Sequence, residues 1–117
     1  MRRGNIWTGS GGNDYAKKPR PFVILQDDGF QETASITVCP LTTDPTDAHL
    51  FRLKVEPTDR NGLRETSRIM VDKITSIPKS KLGICIGRLE DEAISRLNRS
   101  VIVFLGLAAS PRPQRQR

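Results

Sequence analysis

The feature that most constrains the fold of this chain is a series of short apolar or alternating runs joined by polar links. Parallel neighbours in a sheet need a crossover of about a dozen residues or more, whereas antiparallel neighbours need only a tight turn. The links are rich in Gly, Pro, Asn and Asp, which favour turns. The pattern therefore predicts an antiparallel sheet of about six strands, at residues 3–7, 22–25, 35–41, 51–56, 67–77 and 84–89.

Four of these runs say more about the sheet. Residues 22–25 are apolar throughout, as in a strand that is buried on both faces. Residues 35–41 alternate and are β-branched, and Pro40 predicts that the strand ends there or lies beside a bulge. We expect residues 3–7 to form a short edge strand and residues 67–77 to form one bent strand.

The C-terminal segment changes from strand to helix periodicity. Asp91 and Glu92 suit the first turn of a helix, where carboxylates meet the positive end of the helix dipole. Apolar side chains then recur on one face, at Ile94, Leu97, Val101, Phe104 and Leu105. The strand propensity of residues 101–103 leaves the end of this helix open.

The fold predicted from these elements is mainly β: a small antiparallel barrel with a C-terminal helix packed on it. The length of 117 residues suits one domain, which we assign to residues 1–110. Residues 111–117 are rich in Pro and Arg and are expected to be a disordered basic tail. Because aromatic residues make up only 5% of the chain, the core is expected to consist of Ile, Val and Leu.

The charge and the scarcity of metal ligands narrow the function classes. The formal net charge is +6, of which the tail supplies three, so charge supports a polyanionic partner only weakly, and ordinary solubility explains it as well. Cys39 and Cys85 lie in strand-like runs and are expected to be buried, reduced thiols. His49, the one histidine, is expected at the surface, so we predict no metal and no cofactor. No apolar run approaches the ~18 residues of a membrane span, and a cytoplasmic location is expected.

Several segments, taken in order, carry a family resemblance. They are Arg3-Gly4-Asn5-Ile6-Trp7, Arg20-Pro21-Phe22-Val23-Ile24, Val38-Cys39-Pro40-Leu41-Thr42-Thr43, Asn61-Gly62-Leu63, Val71-Asp72-Lys73-Ile74 and Gly87-Arg88-Leu89. Each segment is weak evidence alone, but their order and spacing from residue 3 to about residue 107 resemble the MazF/PemK family of toxin ribonucleases. The resemblance implies a small barrel of the CcdB/PemK type. It also implies a cytoplasmic homodimer that cuts single-stranded mRNA at short sequences without a metal. Such a toxin is held inactive by an antitoxin whose disordered tail covers the RNA-binding groove.

The resemblance assigns catalysis to Arg20 and Thr42. A guanidinium is always charged and grips two phosphate oxygens at once, although a solvated arginine before a strand is the alternative for Arg20. Thr42 would offer its hydroxyl to a non-bridging phosphate oxygen, and it can also cap the turn that follows. Thr43 takes this role if the register differs by one residue, and otherwise contributes to RNA binding.

The loop before Arg20 departs from the family pattern. Many members carry Gly-Ser-Glu-Gln there, and the glutamate is a proposed proton-transfer group, but this loop contains no glutamate. Asp14 is the nearest carboxylate and could replace it, unless it only favours a turn; Arg20 itself could also move the proton. Lys17 and Lys18 are expected to bind the RNA backbone. Tyr15 could stack on a base or serve packing, whereas Trp7 is expected to serve packing.

Two alternatives remain open at this stage. CcdB-like toxins share the barrel but poison DNA gyrase through a C-terminal tryptophan, whereas the single tryptophan here is Trp7 and the chain ends in Arg-Gln-Arg. A barrel that binds nucleic acid without cutting it is the second alternative, because the loop glutamate is missing.

Overall fold

Seven strands and one α-helix follow each other in the computed structural model, which describes residues 1–10, 19–45 and 51–109. The strands are β1 (Asn5–Gly9), β2 (Arg20–Ile24), β3 (Ser35–Thr42), β4 (Arg52–Val55), β5 (Ser67–Met70), β6 (Thr75–Pro78) and β7 (Leu82–Arg88), and the helix is α1 (Asp91–Phe104). The predicted mainly β fold with a C-terminal helix is confirmed.

The strands form one antiparallel sheet in the order β4-β5-β3-β2-β1-β7, and β6 pairs with β3 beside this path. In the described part of the chain the path runs open from β4 to β7, so the barrel is not closed. The expectation of an edge strand at residues 3–7 was wrong, because β1 lies between β2 and β7. Its second partner returns from much later in the chain, which a local pattern does not reveal.

Strand β3 changes partner at Pro40. Its first half pairs with β6 and its last two residues, Leu41 and Thr42, pair with β5. A proline has no N–H to donate to a ladder, so it fits at this changeover. The strand therefore runs two residues past Pro40, and the predicted bent strand at 67–77 is instead β5, a 3₁₀ turn (Val71–Lys73) and β6.

Hydrophobic residues cover both faces of the central strands, as the apolar run at residues 22–25 predicts. One cluster contains Val23, Cys39 and Leu41 together with Ala93 and Leu97 of the helix. The other, on the opposite face, consists of Phe22, Ile24, Ile36, Val38 and Ile77. The central strands are thus held from both sides, which makes their ends firm supports for functional side chains.

The last turn of α1 departs from the prediction. The helix continues through residues 101–103, despite their strand propensity, because Ala93, Leu97 and partly Ile94 and Val101 anchor its face to the core. Phe104 and Leu105 were expected on that buried face, yet they are 44% and 53% exposed. The ring of Phe104 packs on Phe51, with 5.6 Å between the ring centroids.

The two cysteines differ in their surroundings. Cys39 is buried and Cys85 is exposed, and neither forms a disulfide, so the expectation of a buried thiol was wrong for Cys85. Cys85 lies in β7, the last strand of the described sheet path, where Gly83 and Ile84 are exposed as well. Burial raises the pKa of the Cys39 thiol to about 12. No helix within the described residues is long and apolar enough to cross a membrane.

Candidate active site

Arg20 stands at the entry of a central strand. It is the first residue of β2, is exposed, and pairs with Gly9 across the ladder to β1. Side chains alternate along a strand, so Arg20 shares its face with Phe22 and Ile24, both of which are buried. The buried residues anchor the strand while the guanidinium reaches solvent, as expected for a group that meets a large ligand.

Thr42 ends the neighbouring strand on the same face. Strand β2 pairs with β3 in a register that places Phe22 opposite Pro40. Continuing that antiparallel register by two residues places Arg20 opposite Thr42. Directly opposite residues in such a pair have Cβ atoms about 4.5–5.5 Å apart. The two residues that sequence reasoning selected are therefore brought together by the register of two core strands.

Arg20 and Thr42 line one cleft of about 520 Å³, together with Thr43, Asp44, Glu65 and Ser67. The backbone N–H of Asp44 donates a hydrogen bond to Oγ1 of Thr42 at 3.1 Å. This hydrogen bond is the expected turn-capping role of Thr42. It uses only a lone pair of the hydroxyl oxygen, so the hydroxyl can still donate a hydrogen bond to a ligand. The cleft thus offers a solvent-exposed cation and an oriented hydroxyl, which suits the binding of a phosphate group.

A turn held by several hydrogen bonds precedes the cleft residue Glu65 in the chain and contributes Gly62 and Leu63 to a neighbouring cleft. The buried Asn61 accepts hydrogen bonds from the backbone N–H of Thr58 and of Leu63, both at 3.0 Å, and donates one to the carbonyl of Glu56 at 2.9 Å. Gly62 follows with φ +71°, and its Cα lies against the backbone of Ile86 in β7, where a Cβ would collide.

Glu90 ties this turn to the start of α1. Thr58 donates a hydrogen bond from its hydroxyl to Glu90, and the amide of Asn61 donates another. These hydrogen bonds, that of Thr58 foremost, hold the pKa of Glu90 below its usual range. The turn therefore rests on both β7 and the helix.

Two further clefts extend the site on either side of Arg20. One, of about 610 Å³, shares Arg20 and is lined by Lys73 and Lys81. The other, of about 550 Å³, shares Thr43 and Glu65 with the central cleft and reaches Arg64, Thr8 and Ile86. The three clefts are connected through shared lining residues, and we call them together the groove; Arg20, Lys73, Lys81 and Arg64 supply its cations.

Sequence reasoning missed Glu65, Lys73, Lys81 and Arg64 as groove residues. Lys73 was noticed only as part of a family segment, and no local pattern shows that the turn after β5 faces Arg20. Glu65 follows a tight-turn signal, but its proximity to Thr42 depends on the pairing of β5 with the end of β3.

The remaining predicted residues have different outcomes. Thr43 lines the central cleft. Asp14, Tyr15, Lys17 and Lys18 lie outside the described residues, as do His49 and residues 111–117. Trp7 packs against the second core cluster, as expected for a packing role. Within the ranges 1–10, 19–45 and 51–109, no group of three His, Cys, Asp or Glu side chains is placed to hold a metal ion.

Comparison with known proteins identifies the family. The family described as PemK-like, MazF-like toxins of type II toxin–antitoxin systems matches residues 2–105. The chain is 48% identical over 108 residues to a protein of Mycolicibacterium smegmatis (strain ATCC 700084 / mc(2)155) named probable endoribonuclease MazF, covering 92% of this chain and 99% of the relative.

Two solved structures share the fold. A mycobacterial endoribonuclease in complex with its cognate antitoxin superimposes with a TM-score of 0.76 at 23% identity, over 97% of this chain and 99% of that one. The Mycobacterium tuberculosis toxin MazF-mt6 superimposes with a TM-score of 0.74 at 23% identity, over 87% of this chain and 96% of that one. The family match over residues 2–105 and the 48% identity to a MazF protein lead to one conclusion, with which the shared fold agrees: this chain belongs to the family of PemK-like, MazF-like toxins of type II toxin–antitoxin systems.

Proposed function

We propose that this chain is a metal-independent endoribonuclease that cuts single-stranded mRNA at short sequences, as the toxin of a toxin–antitoxin pair. The observation that carries the proposal is the position of Arg20 and Thr42 on one face of two adjacent strands, lining the same open cleft. The 48% identity to a probable endoribonuclease supports it.

Cleavage uses the 2′-hydroxyl of the substrate as the nucleophile. Its oxygen attacks the adjacent phosphorus, the bond from phosphorus to the 5′-oxygen breaks, and the products are a 2′,3′-cyclic phosphate and a 5′-hydroxyl end. Arg20 would grip two phosphate oxygens and stabilise the charge that develops on them. Thr42 would donate its hydroxyl proton to a non-bridging oxygen while the N–H of Asp44 holds the hydroxyl in place. A fixed hydrogen bond of this kind contributes to the transition state without costly reorganisation.

Substrate binding is assigned to the residues that flank this pair. Lys17 and Lys18 would bind the RNA backbone, Tyr15 would stack on an unpaired base and Thr43 would contact the strand in the cleft. Because cation–phosphate contacts release counterions, RNA affinity should fall steeply as salt rises. The loops at residues 8–19 and 43–50 border the cleft in sequence, so they are the proposed source of target selectivity.

The proposal extends to partners and location. A related structure is described as an endoribonuclease with its cognate antitoxin, and we propose that this chain likewise forms a homodimer and is inhibited by an antitoxin that covers the groove. The chain would act in the cytoplasm, where its mRNA substrate is found.

The test is cleavage of a long single-stranded RNA by purified, antitoxin-free protein in excess EDTA, with mapping of the cut ends. We expect discrete cuts with 5′-hydroxyl ends. Arg20→Ala should reduce the rate by about 100-fold or more, the usual effect of removing one group that stabilises transition-state charge. Arg2→Ala is a control, because Arg2 is an exposed arginine paired with Asp28, away from the cleft.

Arg20→Lys separates charge from geometry. Lysine keeps the positive charge but loses the planar fork that binds two oxygens, so partial activity is expected. Full activity of Arg20→Ala would contradict the site assignment. Absence of cleavage by the folded wild-type protein would contradict the enzyme proposal, and a gyrase supercoiling assay would then test the CcdB-like alternative.

A further inference from the structure

We propose that Glu65 is the general base of this site, accepting the proton of the 2′-hydroxyl as its oxygen attacks the phosphorus. The inference rests on the proposed ribonuclease function and supplies a group that the family loop motif lacks here. Glu65 lines the same cleft as Arg20 and lies just before β5, not in the loop that precedes Arg20.

The sheet register brings Glu65 to the reacting centre. Strand β5 begins at Ser67 and pairs with the end of β3, with Thr42 opposite Arg68. The chain just before β5 therefore passes the end of β3, where Thr42 and Asp44 lie. Glu65 is exposed there and lines the central cleft together with Arg20 and Thr42.

The backbone of Glu65 is held firmly on both sides. The buried Ser67 donates a hydrogen bond from Oγ to the carbonyl of Glu65 at 3.0 Å. The hydroxyl of Thr66 donates a hydrogen bond to the carboxylate of Glu56 at 2.5 Å. The preceding turn is fixed by the buried Asn61. A base on such a support keeps its position when RNA binds, which proton transfer requires.

The carboxylate of Glu65 is available for this role. In the part of the chain that the structure describes, no ion pair or side-chain hydrogen bond engages it. Asp44, the other acidic residue in the cleft, takes part in a further interaction besides the hydrogen bond that its backbone N–H donates to Thr42. Glu65 lines both the central cleft and the neighbouring one, so it borders the place where the two clefts meet.

The proposed step balances as follows. The carboxylate of Glu65 takes the proton from the 2′-hydroxyl while the 2′-oxygen forms its bond to phosphorus. The bond between phosphorus and the 5′-oxygen breaks with its electron pair on that oxygen, which takes a proton from water. The protonated Glu65 then returns its proton to the solvent, and no oxidation or reduction occurs.

The test compares Glu65→Gln with wild type for kcat/KM across pH, in EDTA, on an RNA containing the mapped target. Glutamine keeps the size of the side chain but cannot accept a proton. We expect a loss of about 100-fold or more near neutral pH, since general bases contribute about 10²–10⁴-fold. The kcat/KM of the wild-type protein should rise as pH increases through the acidic range, and this rise should be absent in Glu65→Gln. Glu65→Asp should have intermediate activity and should keep the rise.

Two controls separate chemistry from binding and folding. Affinity for a target RNA with a 2′-deoxyribose at the cleavage site, which cannot react, should be almost unchanged in Glu65→Gln, as should the thermal midpoint. Glu32→Gln is the matched surface variant, because Glu32 is an exposed glutamate in the link between β2 and β3, and it should cleave like wild type.

The outcomes that overturn the proposal are distinct. If Glu65→Gln cleaves like wild type and its kcat/KM still rises with pH in the acidic range, Glu65 is not the base. Loss of that rise in Asp14→Asn or Asp44→Asn would then assign the role to that residue. If Glu65→Gln loses RNA affinity in proportion to its rate, Glu65 serves binding alone. Failure of the wild-type protein to cleave would instead refute the ribonuclease function itself.

Discussion

Replacement of Asn61 by alanine should cost this protein more stability than the loss of any ordinary surface asparagine. The side chain is buried and satisfies three backbone groups of one turn, the N–H groups of Thr58 and Leu63 and the carbonyl of Glu56, at 2.9–3.0 Å. Alanine replaces none of these hydrogen bonds. A buried polar group left without a partner costs about 1–3 kcal/mol. Because water can reach part of this turn, the cost for each group should lie near the lower end of that range.

The expected loss is therefore about 3–4 kcal/mol, near the lower end of the range for three unsatisfied groups. That is a large fraction of the ~5–15 kcal/mol by which a domain of this kind is stable. With a urea slope of about 2 kcal/mol per molar, the midpoint of unfolding should fall by about 2 M. Urea unfolding followed by circular dichroism measures both quantities.

Asn98→Ala is the matched control. Asn98 is half-buried and accepts one hydrogen bond, from the guanidinium of Arg3 at 2.8 Å, so its loss should cost about 1 kcal/mol. If Asn61→Ala and Asn98→Ala lowered the free energy of unfolding equally, the turn would not depend on the three hydrogen bonds, and the firm support argued for Glu65 would be refuted as well.

Three further predictions follow from single features of the structure. Gly62→Ala should lower the free energy of unfolding by about 2 kcal/mol or more, because a left-handed φ disfavours a Cβ and that Cβ would meet the backbone of β7; urea unfolding checks this. A thiol reagent should modify Cys85 in the folded protein and reach Cys39 only after unfolding, because burial raises the pKa of Cys39 to about 12. Asp72→Asn should cost about 1–2 kcal/mol near neutral pH, since the carboxylate accepts two hydrogen bonds from Arg52. The hydrogen bonds from Arg52 lower the pKa of Asp72 below its ordinary value. This stabilisation is therefore fully present above the ordinary carboxyl pKa of about 4 and is lost as pH falls through the lowered pKa. Unfolding at acid pH should then bring wild type and variant together.

The strands could be predicted largely because their signals are local. Residues 22–25 are apolar throughout, and residues 35–41 alternate and are β-branched; both patterns are typical of strands. Their neighbours in the sheet could not be predicted in the same way. Strand β1 looked like an edge strand because its pairing with β7 depends on a segment near the other end of the sequence.

The helix shows the same limit in another form. Its periodicity correctly identified Leu97 on the face that meets the core. The predicted face also includes Phe104 and Leu105, but the core cluster contacts the helix only as far as Val101, and both residues remain about half exposed. A periodic pattern gives the direction of a face and not the length of the surface that covers it.

The contrast between Arg20 and Glu65 shows why one part of the site could be read from the sequence and the other could not. Arg20 and Thr42 each sit at the end of a strand with a strong local signal, and one ladder between consecutive strands places them opposite each other. Glu65 reaches the cleft only because β3 changes partner at Pro40 and pairs its last residues with β5. That changeover removes β6 from the end of β3 and leaves the space in which the chain before β5 approaches Thr42. The topology of the sheet therefore lets the segment before β5 supply a carboxylate to the cleft through Glu65. With the proposed base in that segment, the loop before Arg20 does not need a glutamate.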